Sequence, residues 1–168
     1  MPEFLEDIVQ KNLNCVSFIK TPDDRLPLFN GAYSTKLYQI EKYLVNLKPN
    51  YKDNILGGLL KIKHKSHFLL IDIDKPPKKK FSKSYQSGPL SFEYFLDGIK
   101  VISNSGFGNN ISKKAELLSR VTACQSTLTI NDTSITKFET NEMINKVFGN
   151  SIQNNFKSFD ISSKNERK

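Results

Sequence analysis

Residues 90–104 read LSFEYFLDGIKVISN, which is the clearest hairpin pattern in the chain. Large apolar side chains alternate with others along 90–96, which is the period of a β-strand, and a second apolar run follows over 99–104. Asp97 and Gly98 lie between the two runs, and Asp-Gly is a favoured pair for a two-residue hairpin turn. The spacing therefore predicts an antiparallel hairpin. It places Leu90, Phe92, Tyr94 and Leu96 on one face of the first strand, and Ser91, Glu93 and Phe95 on the other.

Further strand patterns lie on both sides of this hairpin. Two runs with a period of two, 55–63 and 67–73, predict a strand pair joined at Lys65-Ser66. Enrichment in Thr and Ile predicts another strand over 122–131. Residues 152–162 alternate in the same way and predict a final strand.

Helical patterns precede and interrupt the strands. Apolar residues at helical spacing predict helices over 3–13 and 35–47, the second with Thr35 as its N-cap. Shorter helices are predicted over 112–119 and 140–148. This order predicts a mainly β protein, an antiparallel β-sandwich with a short α-helical N-terminal segment. We expect residues 1–48 to form that helical segment and a linker, and 49–168 to form part of the sandwich.

Composition narrows the classes of function. The chain has 168 residues, 38% of them hydrophobic, and a formal net charge of +8. It can therefore bury a core and would attract an anionic partner. Only three of its 25 basic residues are arginine, which disfavours a nucleic-acid interface because Arg is the usual reader of bases and phosphates. The longest apolar stretch, 54–62, is too short to cross a bilayer, and the N-terminus does not have the pattern of a secretory signal.

Few side chains stand out as candidates for chemistry. His64 and His67 are the only histidines, and we interpret them as two solvated side chains at a hairpin turn. Cys15 and Cys124 define neither a disulfide framework nor a metal knuckle. Gly106-Phe-Gly108 is interpreted as a turn that requires a positive φ, because it lacks the context of a phosphate-binding loop.

The most localised charge is a lysine cluster beside Pro76-Pro77. It is either a solvated loop or a clamp for an acidic glycan, in which case Phe81 and Tyr85 would stack on a sugar face. Arg120 either pairs with a substrate carboxylate or caps a local acid such as Glu116. The cluster consists of Lys75, Lys78, Lys79, Lys80 and Lys83.

Two spaced motifs resemble a known family. Residues 86–106 read QSGPLSFEYFLDGIKVISNSG, and residues 119–132 read SRVTACQSTLTIND. Together with TPDDRLPLFNG at 21–31, they resemble the C-terminal β-sandwich of the heparinase II/III-like polysaccharide lyases. The resemblance implies a lyase that acts with a helical toroid domain and cleaves acidic, uronate-containing polysaccharides by β-elimination. In that reaction a base removes the proton next to a uronate carboxylate that the site has neutralised.

The chain departs from the family at the positions that matter most. Gln86 and Gln125 stand where the resemblance implies histidines, and Asn104 stands where it implies a metal-binding Asp. Amides are poor zinc ligands and are not bases near neutral pH. We therefore expect no metal, no cofactor and no activity of this chain as an isolated fragment, and we assign no catalytic residue. The alternative is a non-catalytic glycan-binding or structural module.

The resemblance also implies a binding role and a setting. We expect substrate contacts from Gln86, Asn104, Arg120 and Gln125. The expected partners are an acidic polysaccharide and a helical toroid domain, supplied by a further segment or a partner chain. The resemblance places such proteins in the cell envelope or periplasm.

Overall fold

The computed structural model describes residues 2–37, 48–77, 84–129, 131 and 135. Its first element is a helix, α1, Glu3–Ile19, which is longer than the predicted 3–13. The extension buries Phe18, whose ring contacts Tyr51 edge to face at a centroid distance of 5.5 Å. The Nζ of Lys61 donates to the Phe18 carbonyl at 2.9 Å, so a strand residue satisfies a carbonyl at the helix C-terminus.

Five antiparallel strands form one sheet in chain order, each paired with the next. A sheet in which consecutive strands pair needs only short hairpin turns, and three of the four connections are of that kind. The strands are β1 Ile55–Leu56, β2 Leu59–His64, β3 His67–Asp72, β4 Phe92–Leu96 and β5 Ile99–Ile102.

The hairpin of β4 and β5 confirms the central sequence prediction. Asp97 and Gly98 both have positive φ, 50° and 79°, as a type I′ turn requires. Glu93 and Phe95 face the interior and are fully buried, and the alternate residues Phe92, Tyr94 and Leu96 are more exposed. Leu90 differs from its prediction, because it has a φ of 62° and lies before the strand begins.

The predicted strand over 55–63 is divided by a turn. Gly57 and Gly58 have φ values of 58° and 79°, and Leu56 pairs directly with Leu59. Two consecutive glycines favour a type I′ turn, so the run folds back into a hairpin of its own. The predicted pairing of the next two strands is confirmed, with His64 opposite His67 across the turn.

The predicted strand over 122–131 is wrong for its described residues. Thr122–Cys124 is a 3₁₀ turn, and no strand follows it as far as residue 129. The hydroxyls of this segment are used in hydrogen bonds to other segments: Thr122 Oγ1 pairs with Ser87 Oγ at 2.6 Å, and Ser126 Oγ bonds to Asn104. These bonds to distant partners override the β-propensity of Thr.

The described residues support the fold class but do not reach every predicted element. The short helix predicted over 112–119 is α2, Lys113–Arg120, with Ser112 as its N-cap. Most of the helix predicted over 35–47, the helix at 140–148 and the strand at 152–162 lie outside the described residues. The observed fold is mainly antiparallel β with an α-helical N-terminal segment, as predicted.

One core joins α1 to the sheet. Its buried centre is Phe18, Phe29, Phe68, Leu70 and Phe95. Phe29 comes from the segment between α1 and the sheet, so residues 20–37, called here the linker segment, pack on the sheet. This packing brings the linker segment next to the two sequence motifs.

Candidate functional site

Gln86 lies at the junction of three segments. Its side chain is only 1% exposed. Its Oε1 accepts from the Gly31 amide at 3.0 Å, and its Nε2 donates to the carbonyls of Gly106 and Ser119, each at 2.8 Å. The linker segment, the glycine loop and the end of α2 are therefore held by one amide.

Gln125 and Asn104 lie close to this junction. Gln125 Nε2 donates to the Ser119 carbonyl at 2.8 Å, so two glutamines share one acceptor. Asn104 Oδ1 accepts from the amide and the hydroxyl of Ser126, at 2.9 and 3.0 Å. We call Gln86, Asn104 and Gln125 the amide cluster.

A close approach by glycine makes room for the cluster. A Cβ at Gly88 would lie 3.1 Å from Cγ of Gln125 and 3.0 Å from the hydroxyl of Ser91. Any larger side chain at residue 88 would press on Gln125. The glycine of the first motif therefore has a packing role.

Arg120 lies at the end of α2, beside the same junction. Its Nε donates to the Tyr85 carbonyl at 3.1 Å, and its own carbonyl accepts from the Ser87 amide at 2.9 Å. Burial lowers the pKa of the guanidinium, and the nearby Glu116 carboxylate partly offsets this. The structure thus places all four predicted site residues near one another, and each makes hydrogen bonds within the chain.

The amide cluster does not fit the metal ion that the resemblance implies. Two of its three oxygens already accept hydrogen bonds, and it contains neither imidazole nor carboxylate. The buried Nδ2 of Asn104 has no partner among the described residues, but it is a donor and cannot ligate a cation. Within the described ranges, no three His, Cys, Asp or Glu side chains are grouped to hold a metal.

Glu93 was not singled out as a functional residue, yet it is the charged residue most deeply buried in the sheet. Its side chain is 0% exposed and forms an ion pair with Lys100 at 3.0 Å. Its Oε1 accepts from the Leu28 amide at 3.2 Å and from Ser103 Oγ at 3.1 Å. Its sequence signals were its place on a predicted strand and within the first motif, and neither signal distinguishes a buried ion pair from a solvated one.

The remaining candidates are dispersed. His64 and His67 are both exposed, in line with their interpretation, and Nδ1 of His67 lies 2.6 Å from the Tyr94 hydroxyl. Tyr85 is only 4% exposed, so little of its ring surface is open for the predicted stacking on a sugar. Residues 78–83, which include most of the lysine cluster and Phe81, lie outside the described residues. Gly106 has a φ of 72°, as its turn role predicts.

Comparison with known proteins supplies the family. The family model described as "Heparinase II/III-like, C-terminal" matches residues 49–166, more than half of the chain. The chain belongs to the heparinase II/III-like family. A search of curated proteins found no match.

Solved structures of this family share the fold. The heparan sulfate lyase HepC from Pedobacter heparinus is 18% identical, with a TM-score of 0.59 over 84% of this chain and 28% of that chain. A heparinase III, the BT4657 gene product, is 18% identical, with a TM-score of 0.61 over 83% of this chain and 25% of that one. The heparinase-like chain thus spans about a quarter of the length of these relatives. None of its described helices is both long and apolar enough to span a membrane.

Proposed function

We propose that this heparinase-like domain binds acidic, uronate-containing polysaccharide and does not cleave it on its own. The observation that carries the proposal is the amide cluster. Gln86 and Gln125 occupy the positions where the resemblance implies imidazoles, and their amide groups hydrogen-bond within the domain. An amide cannot remove a proton near neutral pH, so the cluster supplies no general base for β-elimination.

The net charge of the chain and its family support the proposed binding of acidic polysaccharide. The chain carries a net charge of +8, and the proteins of similar structure include a heparan sulfate lyase. Contacts between exposed lysines and anions contribute less than about 1 kcal/mol each and are screened by salt. We therefore expect binding through the lysine cluster to be weak and salt-sensitive.

The same proposal includes a partner domain and a cellular location. A helical toroid domain, from a further segment or a partner chain, completes the cleft, and the assembly works in the cell envelope or periplasm. Of the predicted substrate contacts, Arg120 and Gln125 are only partly buried, so they are the members of the set that a glycan reaches with least rearrangement. Substrate contact by Gln86 requires the exchange of one of its internal hydrogen bonds.

A titration tests the binding half directly. Heparan sulfate is titrated into the protein at low and moderate salt, with neutral dextran as the control polymer. We expect binding to heparan sulfate that weakens several-fold with added salt, and none to dextran. Replacement of the lysine cluster by Gln is expected to weaken binding more than the same change at five exposed lysines elsewhere, namely Lys11, Lys52, Lys63, Lys65 and Lys114.

A purely structural module is the second candidate, because Gln86, Asn104 and Glu93 are buried and bonded within the chain. This candidate predicts no binding to heparan sulfate at either salt concentration. Such a result would contradict the proposed function.

A further inference from the structure

A cavity opens between the linker segment, the β1–β2 turn and Tyr85. Its volume is about 340 Å³, within the range of about 300–1,000 Å³ that is usual for small-molecule sites. Phe29 and Leu59 contribute apolar walls, and Asn30, Asp72, Asp74 and Tyr85 contribute polar groups. We call it the Asp72 cavity. It takes no part in the hydrogen bonds of the amide cluster.

Tyr85 lines the cavity, and its hydroxyl makes no hydrogen bond to another described residue. The side chain is 4% exposed, and only its backbone carbonyl is bonded, to Arg120. Burial, and then the nearby Asp72 carboxylate, raises the pKa of this hydroxyl, so it remains a neutral donor. Tyrosine hydroxyls in protein interiors usually make a hydrogen bond, and this residue borders a space that a ligand can enter.

Asp72 offers the matching acceptor. It is 5% exposed, and one oxygen accepts from Asn30 Nδ2 at 2.8 Å while the other accepts from the Asp74 amide at 3.2 Å. A carboxylate has about four acceptor sites, so about two remain for a ligand. The Tyr85 hydroxyl can thus donate, and the Asp72 carboxylate can accept, a hydrogen bond in the same cavity.

Two residues that line the cavity, Asp74 and Ser84, lie close to glycines of neighbouring turns. A Cβ at Gly58 would lie 2.5 Å from Cβ of Asp74, and one at Gly31 would lie 2.7 Å from Cβ of Ser84. Both glycines also have positive φ, 79° and 94°. The turns that carry them can therefore approach Asp74 and Ser84 closely at the edge of the cavity.

The charge of the cavity selects against an anion. Asp72 and Asp74 contribute two carboxylates, and Lys75 is the single cation among the described lining residues. A uronate placed here would meet like charges, while a hydroxyl group can donate to Asp72 and accept from Tyr85. The apolar walls suit the C–H face of a sugar ring.

We propose that the Asp72 cavity binds one uncharged, hydroxyl-bearing sugar unit, held between the Asp72 carboxylate and the Tyr85 hydroxyl. The choice of a sugar rests on the proposed function. Lys75 is the one member of the lysine cluster among the described lining residues, and the two carboxylates outnumber it, so the cavity takes a neutral unit of a glycan and excludes a uronate.

The test compares two sugars that differ in one group. Methyl glucoside and methyl glucuronide share a ring, and the glucuronide has a carboxylate in place of the hydroxymethyl group. Binding of each is measured by saturation-transfer NMR on the full chain. We expect the glucoside to bind at least tenfold more tightly. Equal or tighter binding of the glucuronide would overturn the proposal, as would no binding of the glucoside, which would leave water as the occupant.

Two variants test whether the glucoside binding seen by NMR takes place in the Asp72 cavity. Tyr85→Phe removes only the unpartnered hydroxyl, so we expect an unchanged or higher melting temperature and at least fivefold weaker glucoside binding. The matched control is Tyr33→Phe, because Tyr33 is exposed and bonds to Asn109 away from the cavity. Unchanged glucoside binding in Tyr85→Phe would overturn the proposal.

Heparan sulfate binding by the same samples separates the two proposals. Loss of glucoside binding with retained heparan sulfate binding would overturn only the cavity site. Glucoside binding without heparan sulfate binding would support the cavity site and overturn the proposed function.

Discussion

Gln86 connects three segments that are far apart in sequence, so its replacement is expected to lower the stability of the protein. Gln86→Leu leaves the Gly31 amide without its partner, while the carbonyls of Gly106 and Ser119 keep their bonds from Ser105 and Gln125. One unsatisfied buried group costs about 1–3 kcal/mol, so we expect the free energy of unfolding to fall by at least about 1 kcal/mol in urea denaturation. Gln125→Leu is the matched control, because one hydrogen bond is lost instead of three. An equal loss in both variants would contradict the role of Gln86.

The composition of the amide cluster also predicts that zinc does not stabilise the protein. We expect zinc to leave the melting temperature of the protein unchanged, because the cluster offers no imidazole, thiolate or carboxylate. The variant Gln86→His, Asn104→Asp, Gln125→His restores a ligand set, and we expect it to gain zinc-dependent stability. Calorimetric scans with and without zinc, together with metal analysis, provide the measurement. Stoichiometric zinc in the unmodified protein, lost on Gln125→Ala, would contradict this prediction.

Asp72 makes stability depend on pH in a defined direction. Burial is the main cause that raises its pKa above the ordinary value of 3.8, and bonds from Asn30 and the Asp74 amide offset part of this. The folded state therefore holds the proton more tightly than the unfolded state, and this stabilisation is lost as pH rises through the folded pKa. We expect the stability of the unmodified protein relative to Asp72→Asn to fall as pH rises from about 3.8. Asp97→Asn controls for the loss of one carboxylate, and a flat difference for Asp72→Asn would contradict the prediction.

At the residue scale, the sequence identified the positions but not their contacts. Gln86, Asn104 and Gln125 stood out because amides replace expected ligands. Their partners are mostly backbone groups of distant segments, such as Gly31 and Ser119, and a side-chain pattern carries no signal for such pairings. Asp72 and Tyr85 were missed as a pair because they are brought together by tertiary packing.

Among the elements, two hairpin turns with the same backbone angle differ in the space around them. Gly58 and Gly98 both have a φ of 79°, but a Cβ at Gly58 would meet Asp74 at 2.5 Å while one at Gly98 would meet nothing within 4 Å. Alanine at either position bears the left-handed strain of about 1–2 kcal/mol. We expect Gly58→Ala to destabilise the protein more than Gly98→Ala does, as measured by thermal unfolding. Equal losses would show that contact with Asp74 is unimportant.

Helices and strands were predicted correctly where the local sequence pattern was strong. The Asp97-Gly98 hairpin was found because alternation and turn chemistry agree. The Gly57-Gly58 turn was missed because the apolar residues on both sides looked like one continuous strand. The strand over 122–131 was predicted from Thr and Ile content, yet hydrogen bonds from Thr122 and Ser126 to other segments hold its described residues in turns.

For the molecule as a whole, the sequence predicted the fold class and the family but not the packing between distant segments. The mainly β class followed from the order of the predicted helices and strands, and the family followed from the spaced motifs. The family model over residues 49–166 confirms the family. The division into 1–48 and 49–168 stays a prediction, as does the location in the cell envelope or periplasm. Packing of the linker segment on the sheet was not predictable, because the Leu28 amide and the buried Glu93 are 65 residues apart.

We expect the domain to bind acidic polysaccharide without cleaving it. The most direct measurement is the ultraviolet absorbance of the unsaturated uronate product, followed while the protein is incubated with a panel of acidic glycans that includes heparan sulfate. A heat-killed sample of the same protein is the control. We expect no product above that control, because Gln86 and Gln125 are not bases and their amides bond within the domain. Product formation above the control would contradict the account and would require a general base outside the amide cluster.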